Sequence, residues 1–119
     1  MNVEMLKSAG IDYDRAVKRF MGKAHIYEKV LGDFLDDTAL DLAIEAYNGG
    51  DKQGLFECAH EMKGVSGNMD MTDLYRVACE LVELLREGTV PNDALEAAFL
   101  SFQSAYLDAK TAIRQAMEA

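Results

Sequence analysis

The amino-acid sequence predicts an all-α protein: an up-and-down antiparallel four-helix bundle with additional short helices at its N-terminal side. Three observations lead to this fold class. Apolar residues recur at steps of three and four along most of the 119-residue chain. The single proline comes late, and no Asn-Gly turn separates two runs of alternating polarity. The links between the predicted helices are short, which favours antiparallel neighbours.

The first half of the chain contains three predicted helices. Asp12 can cap the first, which runs to about Met21 and is interrupted at Gly22. The apolar face of the second is formed by Ala24, Tyr27, Leu31 and Phe34. The third opens at a capping box that begins with Thr38. It ends at Asn48-Gly49-Gly50, because glycine tolerates the left-handed conformation common at helix ends.

Three longer helices are predicted in the rest of the chain. Asp51 can cap the fourth, which runs to about Met69, and Thr72 can cap the fifth, which closes at Gly88. The sixth follows Pro91 and is the longest, because its apolar spacing persists to the end. Its apolar residues are Leu95, Phe99, Phe102, Tyr106, Ala109, Ile113 and Met117. Residues 1–119 are therefore predicted to form one helical domain, a length that suits a single core.

Composition argues against several classes of function. Twenty-one acidic residues against twelve basic ones give a net charge of −9, which a nucleic-acid backbone would repel. No window approaches the roughly 20 apolar residues of a membrane span, and the first residues lack the pattern of a signal peptide. We therefore expect a cytoplasmic protein that binds neither nucleic acid nor membrane. The two cysteines show no C-x-x-C spacing and need no disulfide.

The predicted fourth helix carries the chemically informative residues. Its apolar stripe is formed by Leu55, Cys58, Ala59, Met62, Val65 and Met69. At about 100° per residue, His60 points roughly 160° away from the centre of that stripe and is predicted to be exposed. Gly64 lies one turn further on beside it, with Lys63 at the edge of the same sector. Gly67 and Phe56 flank that sector.

Two glycines inside this helix are unexpected, since each costs roughly 1 kcal/mol relative to alanine in a helix interior. Gly67 followed by Asn68 could mark the beginning of the helix end, but Gly64 comes too early for that. A glycine on an exposed face allows something large to approach the neighbouring imidazole, whose lone pair can act as a nucleophile. An exposed histidine beside glycine and lysine therefore indicates transfer of a group to or from a docked partner.

Other chemistries are disfavoured by the same residues. Glu57 and His60 form a single Glu-x-x-His pair, whereas a carboxylate-bridged di-metal bundle needs two pairs pointing inward. The zinc motif H-E-x-x-H fails because position 64 is glycine. Ser66 lies on the apolar side, where we predict a buried hydroxyl bonded to the preceding turn rather than a partner of His60.

The segment 59–68, A-H-E-M-K-G-V-S-G-N, resembles the signature A-H-x-L-K-G of histidine-containing phosphotransfer (HPt) domains. Further similar positions extend the resemblance over nearly the whole chain. They are Gly10-Ile11-Asp12, Arg19, Tyr27, Phe34, Gly49-Gly50-Asp51, Leu55, Leu74, Ala78, Glu80 and Leu81. Two positions depart from the family's pattern. Met62 replaces the usual leucine, a volume-conserving change, and Asp70 stands where a glycine often follows the small residues.

The resemblance implies a role in a two-component phosphorelay. His60 would accept a phosphoryl group through Nε2 from the aspartyl phosphate of a receiver domain and pass it to another receiver. Lys63 would supply positive charge to the phosphorylated state, although from the sequence alone it could equally be an unpaired surface lysine. We expect Phe56, Gly64 and Gly67 to belong to a docking surface for response-regulator receiver domains and hybrid histidine kinases. No cofactor or metal site is expected, because magnesium would come with the partner's acidic pocket.

Two alternative functions remain open. A non-catalytic helical adaptor would bind receiver domains without transferring phosphoryl groups, although His60, Lys63 and Gly64 are all present. The phosphoacceptor helix pair of a histidine kinase begins with a similar H-E-hydrophobic-basic run, but Gly64 and Val65 replace its usual Thr or Asn and then Pro. No ATP-binding glycine boxes follow. We therefore expect a monomeric phosphoryl carrier without kinase activity of its own.

Overall fold

A computed structural model describes residues 1–119 as a helical chain whose only β-type pairing is an isolated bridge between Ile11 and Met71. Seven helices follow one another. They are α1 (Val3–Ser8), α2 (Tyr13–Arg19), α3 (Ala24–Phe34), α4 (Ala39–Asn48), α5 (Lys52–Asn68), α6 (Thr72–Arg86) and α7 (Asn92–Glu118). The prediction of an all-α chain is confirmed, while α1 was not anticipated as a separate helix. None of the seven combines the length and apolar character of a membrane span.

The last four helices pack against one another in chain order. α5 contacts both α4 and α6, and α6 contacts α7, which α1 and α3 also touch. α7 has 27 residues, as the unbroken apolar spacing after Pro91 predicts. At about 1.5 Å per residue it covers about 40 Å of a molecule whose longest extent is 43 Å. The up-and-down order of the four helices stays a prediction.

The hydrophobic core lies between these helices and is built from 27 buried residues. Among its largest fully buried side chains are Tyr27 of α3, Met62 of α5, and Phe102 and Tyr106 of α7. No buried side-chain nitrogen or oxygen lacks a hydrogen-bond partner. A packed and fully satisfied core holds one side of α5 in place and leaves the opposite side to solvent.

Two predicted helix starts and one predicted helix end are confirmed. The Asp12 carboxylate accepts a hydrogen bond from the Arg15 N–H at 3.2 Å and caps α2. The Asp51 carboxylate accepts one from the Gly54 N–H at 2.9 Å and caps α5. α4 ends where predicted, and Gly50 follows it with a φ of +68°, in the left-handed region that glycine enters without strain.

At two other predicted caps the side-chain bond is absent, although α4 does begin directly after Thr38, as predicted. The Thr38 side chain makes no cap bond at the start of α4, and the Asp37 carboxylate accepts the hydrogen bond of the Ala39 N–H at 2.9 Å instead. Thr72 is the first residue of α6 rather than its cap. Its N–H donates at 2.8 Å to the carbonyl of Gly10, so a distant backbone carbonyl satisfies the first free N–H group of the helix.

The turn between α5 and α6, residues 69–71, is tied to the N-terminal part of the chain. The Tyr27 hydroxyl donates to the Met69 carbonyl at 2.7 Å. The Asp12 N–H donates to the Asp70 carbonyl at 2.8 Å. Burial, together with the negative charge of Asp70, raises the pKa of Tyr27 above its usual range, so its hydroxyl stays protonated and donates. These bonds fix the end of α5 relative to α2 and α3.

Tyr27→Phe should lower the free energy of unfolding by about 1–2 kcal/mol, because it leaves the buried Met69 carbonyl without its donor while keeping the ring. Tyr47→Phe is the matched control, since the Tyr47 ring stacks on Phe99 and its hydroxyl makes no hydrogen bond within the chain. Urea denaturation of the three proteins measures both changes. An equal loss in the two variants would contradict the anchoring role of Tyr27.

Candidate functional site

α5 buries one side and exposes the other, and His60 lies on the exposed side. Ala59 and Met62 are fully buried, whereas His60 and Gly64 face solvent. Ser66 is buried, and its hydroxyl donates to the Met62 carbonyl at 2.6 Å, as the sequence predicts. Ser66 is therefore no partner for His60, whose imidazole is presented outward by the helix alone.

The imidazole of His60 stacks on the ring of Phe56, which lies one turn earlier on α5. The two ring centroids are 5.9 Å apart and the planes are inclined by 26°. Phe56 is half-buried and packs against the core, and the guanidinium of Arg86 lies over its ring at 5.9 Å from the centroid. One flank of the imidazole is thus bordered by an aromatic ring that also faces Arg86 of α6.

A surface cavity of about 660 Å³ opens beside His60. Its walls come from α2, α5, α6 and the turn between α5 and α6. The lining residues are Arg15, Arg19, His60, Lys63, Gly64, Ser66, Gly67, Asn68, Asp70, Thr72 and Tyr75. Of the predicted site residues, His60, Lys63, Gly64 and Gly67 meet here, while Phe56 is not part of the lining. The lining contains three Lys or Arg side chains and one acidic one, in a chain whose net charge is −9.

Lys63 lies one turn from His60 and is half-buried. It forms no ion pair within the chain. Its ammonium charge is therefore not neutralised by a neighbouring carboxylate, and it is available to an anion that enters the cavity beside His60.

Gly64 and Gly67, two of the three glycines of α5, have different surroundings. A Cβ atom at Gly64 would meet nothing within 4 Å, so this glycine leaves bare surface beside His60. A Cβ atom at Gly67 would lie 3.0 and 3.1 Å from two ring carbons of Tyr75, which is closer than an ordinary contact. Gly67 therefore lets the Tyr75 ring of α6 pack directly on α5 and reach the cavity.

Asp70 combines an unusual backbone conformation with a buried carboxylate. Its φ is +55°, in the left-handed region that aspartate enters more readily than most residues. Only 5% of its side chain is exposed. Arg19 donates to both carboxylate oxygens, from Nε to Oδ2 at 3.0 Å and from Nη2 to Oδ1 at 3.3 Å. Nε of Arg15 lies 3.5 Å from Oδ1. Two arginines of α2 thus compensate the charge of this buried carboxylate.

Seven of the eleven lining residues were not foreseen as parts of a site from the sequence, among them Arg15, Arg19 and Tyr75. Arg15 and Arg19 lie on a helix far earlier in the chain, and helical periodicity does not say which helices meet. Tyr75 belongs to the next helix. The available signals were Asp70, an acidic residue placed where a turn is needed, and Gly67, whose missing side chain makes room for a bulky neighbour.

The other candidate groups lie apart from the cavity. His25 is exposed on α3. Cys58 and Cys79 are half-buried free thiols, and burial raises the pKa of the Cys58 thiol, which disfavours its reactive thiolate. No group of three or more His, Cys, Asp or Glu side chains is arranged to hold a metal ion. His60 is therefore an exposed imidazole beside a basic cavity that suits an anionic group.

Comparison with known proteins gives one match. A family model described as "Hpt domain" matches residues 29–119. The matched segment contains the whole of α4–α7 and with them His60, Lys63 and Gly64, whereas α1 and α2 precede it. Searches of curated proteins and of solved structures returned no match.

Gly64→Ala should raise the free energy of unfolding by up to about 1 kcal/mol, because alanine is the better helix former and its methyl group meets nothing. Gly67→Ala should gain less, because its methyl group must displace the Tyr75 ring. Chemical denaturation measures both. In a Tyr75→Ala background, the increase in the free energy of unfolding caused by Gly67→Ala should become larger. If that gain is the same in both backgrounds, Tyr75 does not restrict position 67.

Proposed function

The chain belongs to the Hpt domain family, which serves histidine phosphotransfer in two-component phosphorelays, and on this basis we propose that His60 is its phosphoacceptor. One observation carries the proposal. Within the matched segment, His60 is the histidine on the exposed side of α5, at the edge of a cavity lined by three Lys or Arg side chains. We also infer that α4–α7 form the four antiparallel helices of the predicted bundle.

In the proposed reaction His60 takes a phosphoryl group from the aspartyl phosphate of one receiver domain and passes it to the aspartate of another. The lone pair of Nε2 attacks phosphorus in line with the aspartyl P–O bond. The N–P bond forms as that P–O bond breaks, and the aspartate carboxylate leaves with the electron pair. In the second step the new aspartate attacks, and the imidazole leaves as a neutral group. The chain is a carrier in this scheme and needs no kinase activity.

Lys63 stabilises the transferred group electrostatically. Phosphoryl transfer places negative charge on three equatorial oxygens, so a nearby unpaired ammonium group favours both the transition state and the phosphorylated histidine. The position of Lys63 in the same cavity as His60, without an ion-pair partner, supports this role. Magnesium belongs to the partner in this scheme, because Mg²⁺ is bound through carboxylates and phosphate oxygens.

The docking surface for receiver domains and hybrid histidine kinases surrounds His60. Gly64 provides bare surface on which a partner backbone can approach the imidazole closely. Gly67 contributes through the Tyr75 ring that packs on it, and Phe56 borders the opposite end of the imidazole along α5. The chain acts as a monomer in this proposal, because one copy supplies the nucleophile, the lysine and the docking surface.

His60→Gln should fold normally and accept no phosphate, because the side chain is exposed and carries the only proposed nucleophile. His25→Gln is the matched control, since His25 is also exposed but lies away from the cavity. Mass spectrometry under non-acidic conditions, after incubation with a phosphorylated receiver, identifies the modified residue. Phosphate on His25 would refute the assignment. If the wild-type chain binds a phosphorylated receiver but never gains phosphate, the adaptor function is the correct one.

Gly64→Gln should fold well but transfer slowly. Glutamine is a good helix former, yet its side chain projects into the space that a receiver must occupy, and a displacement of about 1 Å costs roughly 100-fold in rate. Transfer from phosphoramidate should suffer far less, because no protein surface has to approach His60. Rates with both donors, beside those of Gly64→Ala, test this. Normal transfer from a receiver would place the docking surface elsewhere.

A further inference from the structure

The arginines of α2 are not explained by phosphotransfer at His60 alone. Arg15 and Arg19 line the same cavity as His60 and Lys63. They come from a helix that precedes residues 29–119, so the family match assigns them no role. Arginine side chains beside a phosphoacceptor place positive charge where the partner's phosphoryl group and carboxylates would approach.

The charges around Asp70 leave one arginine in excess. Arg19 occupies both oxygens of the Asp70 carboxylate, at 3.0 and 3.3 Å. Arg15 lies 3.5 Å from Oδ1, which already accepts from Arg19, makes no hydrogen bond to the carboxylate and has 71% of its side chain exposed. One carboxylate thus faces two guanidinium groups, and Arg15 is the less firmly held of the two.

The acidic residues of α2 and its cap do not neutralise Arg15. Asp14 is paired with Lys7 at 2.9 Å, and the Asp12 carboxylate accepts the Arg15 backbone N–H as the helix cap. Neither aspartate lines the cavity. Together with Lys63, Arg15 therefore makes this cavity a local exception to the net negative charge of the chain.

We propose that α2 forms part of the partner-docking surface and that Arg15 binds the acidic rim of the partner's phosphoacceptor pocket. This inference rests on the proposed function. A receiver that carries an aspartyl phosphate holds Mg²⁺ through carboxylates, so its reacting surface is rich in oxygen ligands of negative charge. A basic surface beside His60 is complementary to it, accelerates encounter and orients the two proteins.

The test compares Arg15→Gln with Lys18→Gln. Both substitutions remove one positive charge from an exposed side chain of α2, but Lys18 does not line the cavity. The probe is the receiver domain, among the purified receivers of the same organism, that transfers phosphate fastest to wild-type His60. Each rate is divided by the rate with phosphoramidate, which reports the reactivity of His60 without a protein partner. Thermal melts confirm that each variant is folded.

At low salt we expect the rate ratio of Arg15→Gln to fall about three- to fivefold, the size of effect expected for the loss of one exposed charge pair. The rate ratio of Lys18→Gln should stay within twofold of wild type. Arg15→Lys should restore most of the ratio, and high salt should remove the difference. An equal ratio in both glutamine variants would overturn the inference while leaving His60 as phosphoacceptor. Failure of wild-type His60 to accept phosphate from any receiver would refute the proposed function itself.

Discussion

The attachment of the α5–α6 turn to the N-terminal segment is the constraint on which the site depends. The Tyr27 hydroxyl holds the Met69 carbonyl, and Arg19 holds the Asp70 carboxylate. Because these bonds fix the end of α5, they also fix the direction in which its exposed side faces. They bring α2 to the edge of the cavity as well. The left-handed conformation of Asp70 costs roughly 1–2 kcal/mol, which the surrounding bonds offset.

Local patterns predicted much of the fold. The helical periodicity of α5 predicted that His60 faces solvent and Ser66 faces the core, and the spacing of apolar residues after Pro91 predicted the long final helix. These features are encoded by neighbours within one or two helical turns. The Thr38 and Thr72 side chains do not cap their helices: the first N–H group of α4 donates to the Asp37 carboxylate, and that of α6 donates to the distant Gly10 carbonyl. Bonds of this kind are invisible to a pattern that considers one helix at a time.

The candidate site was predictable only where it lies on a single helix. His60, Lys63 and Gly64 share one exposed sector of α5 and therefore appeared together in the sequence. The positively charged side chains that α2 adds to the cavity depend on the contact between Arg19 and Asp70, which are 51 positions apart in the chain. Gly67 illustrates the same limit, because its close neighbour is a ring on α6 rather than empty space. Two glycines that are alike in sequence thus have different surroundings in the folded chain.

The ion pair between the exposed Arg19 and the buried carboxylate of Asp70 makes the order of substitution at these two positions matter. If glycine replaces Asp70 first, the backbone strain disappears and Arg19, with 43% of its side chain exposed, is left in water at little cost. If Arg19 is lost first, a carboxylate that is 5% exposed keeps only its longer contact with Arg15. Losing the Arg19 bonds leaves the charge of this carboxylate less well compensated, so this order is the more costly of the two. Starting from glycine at position 70, aspartate is therefore better tolerated when Arg19 is already present.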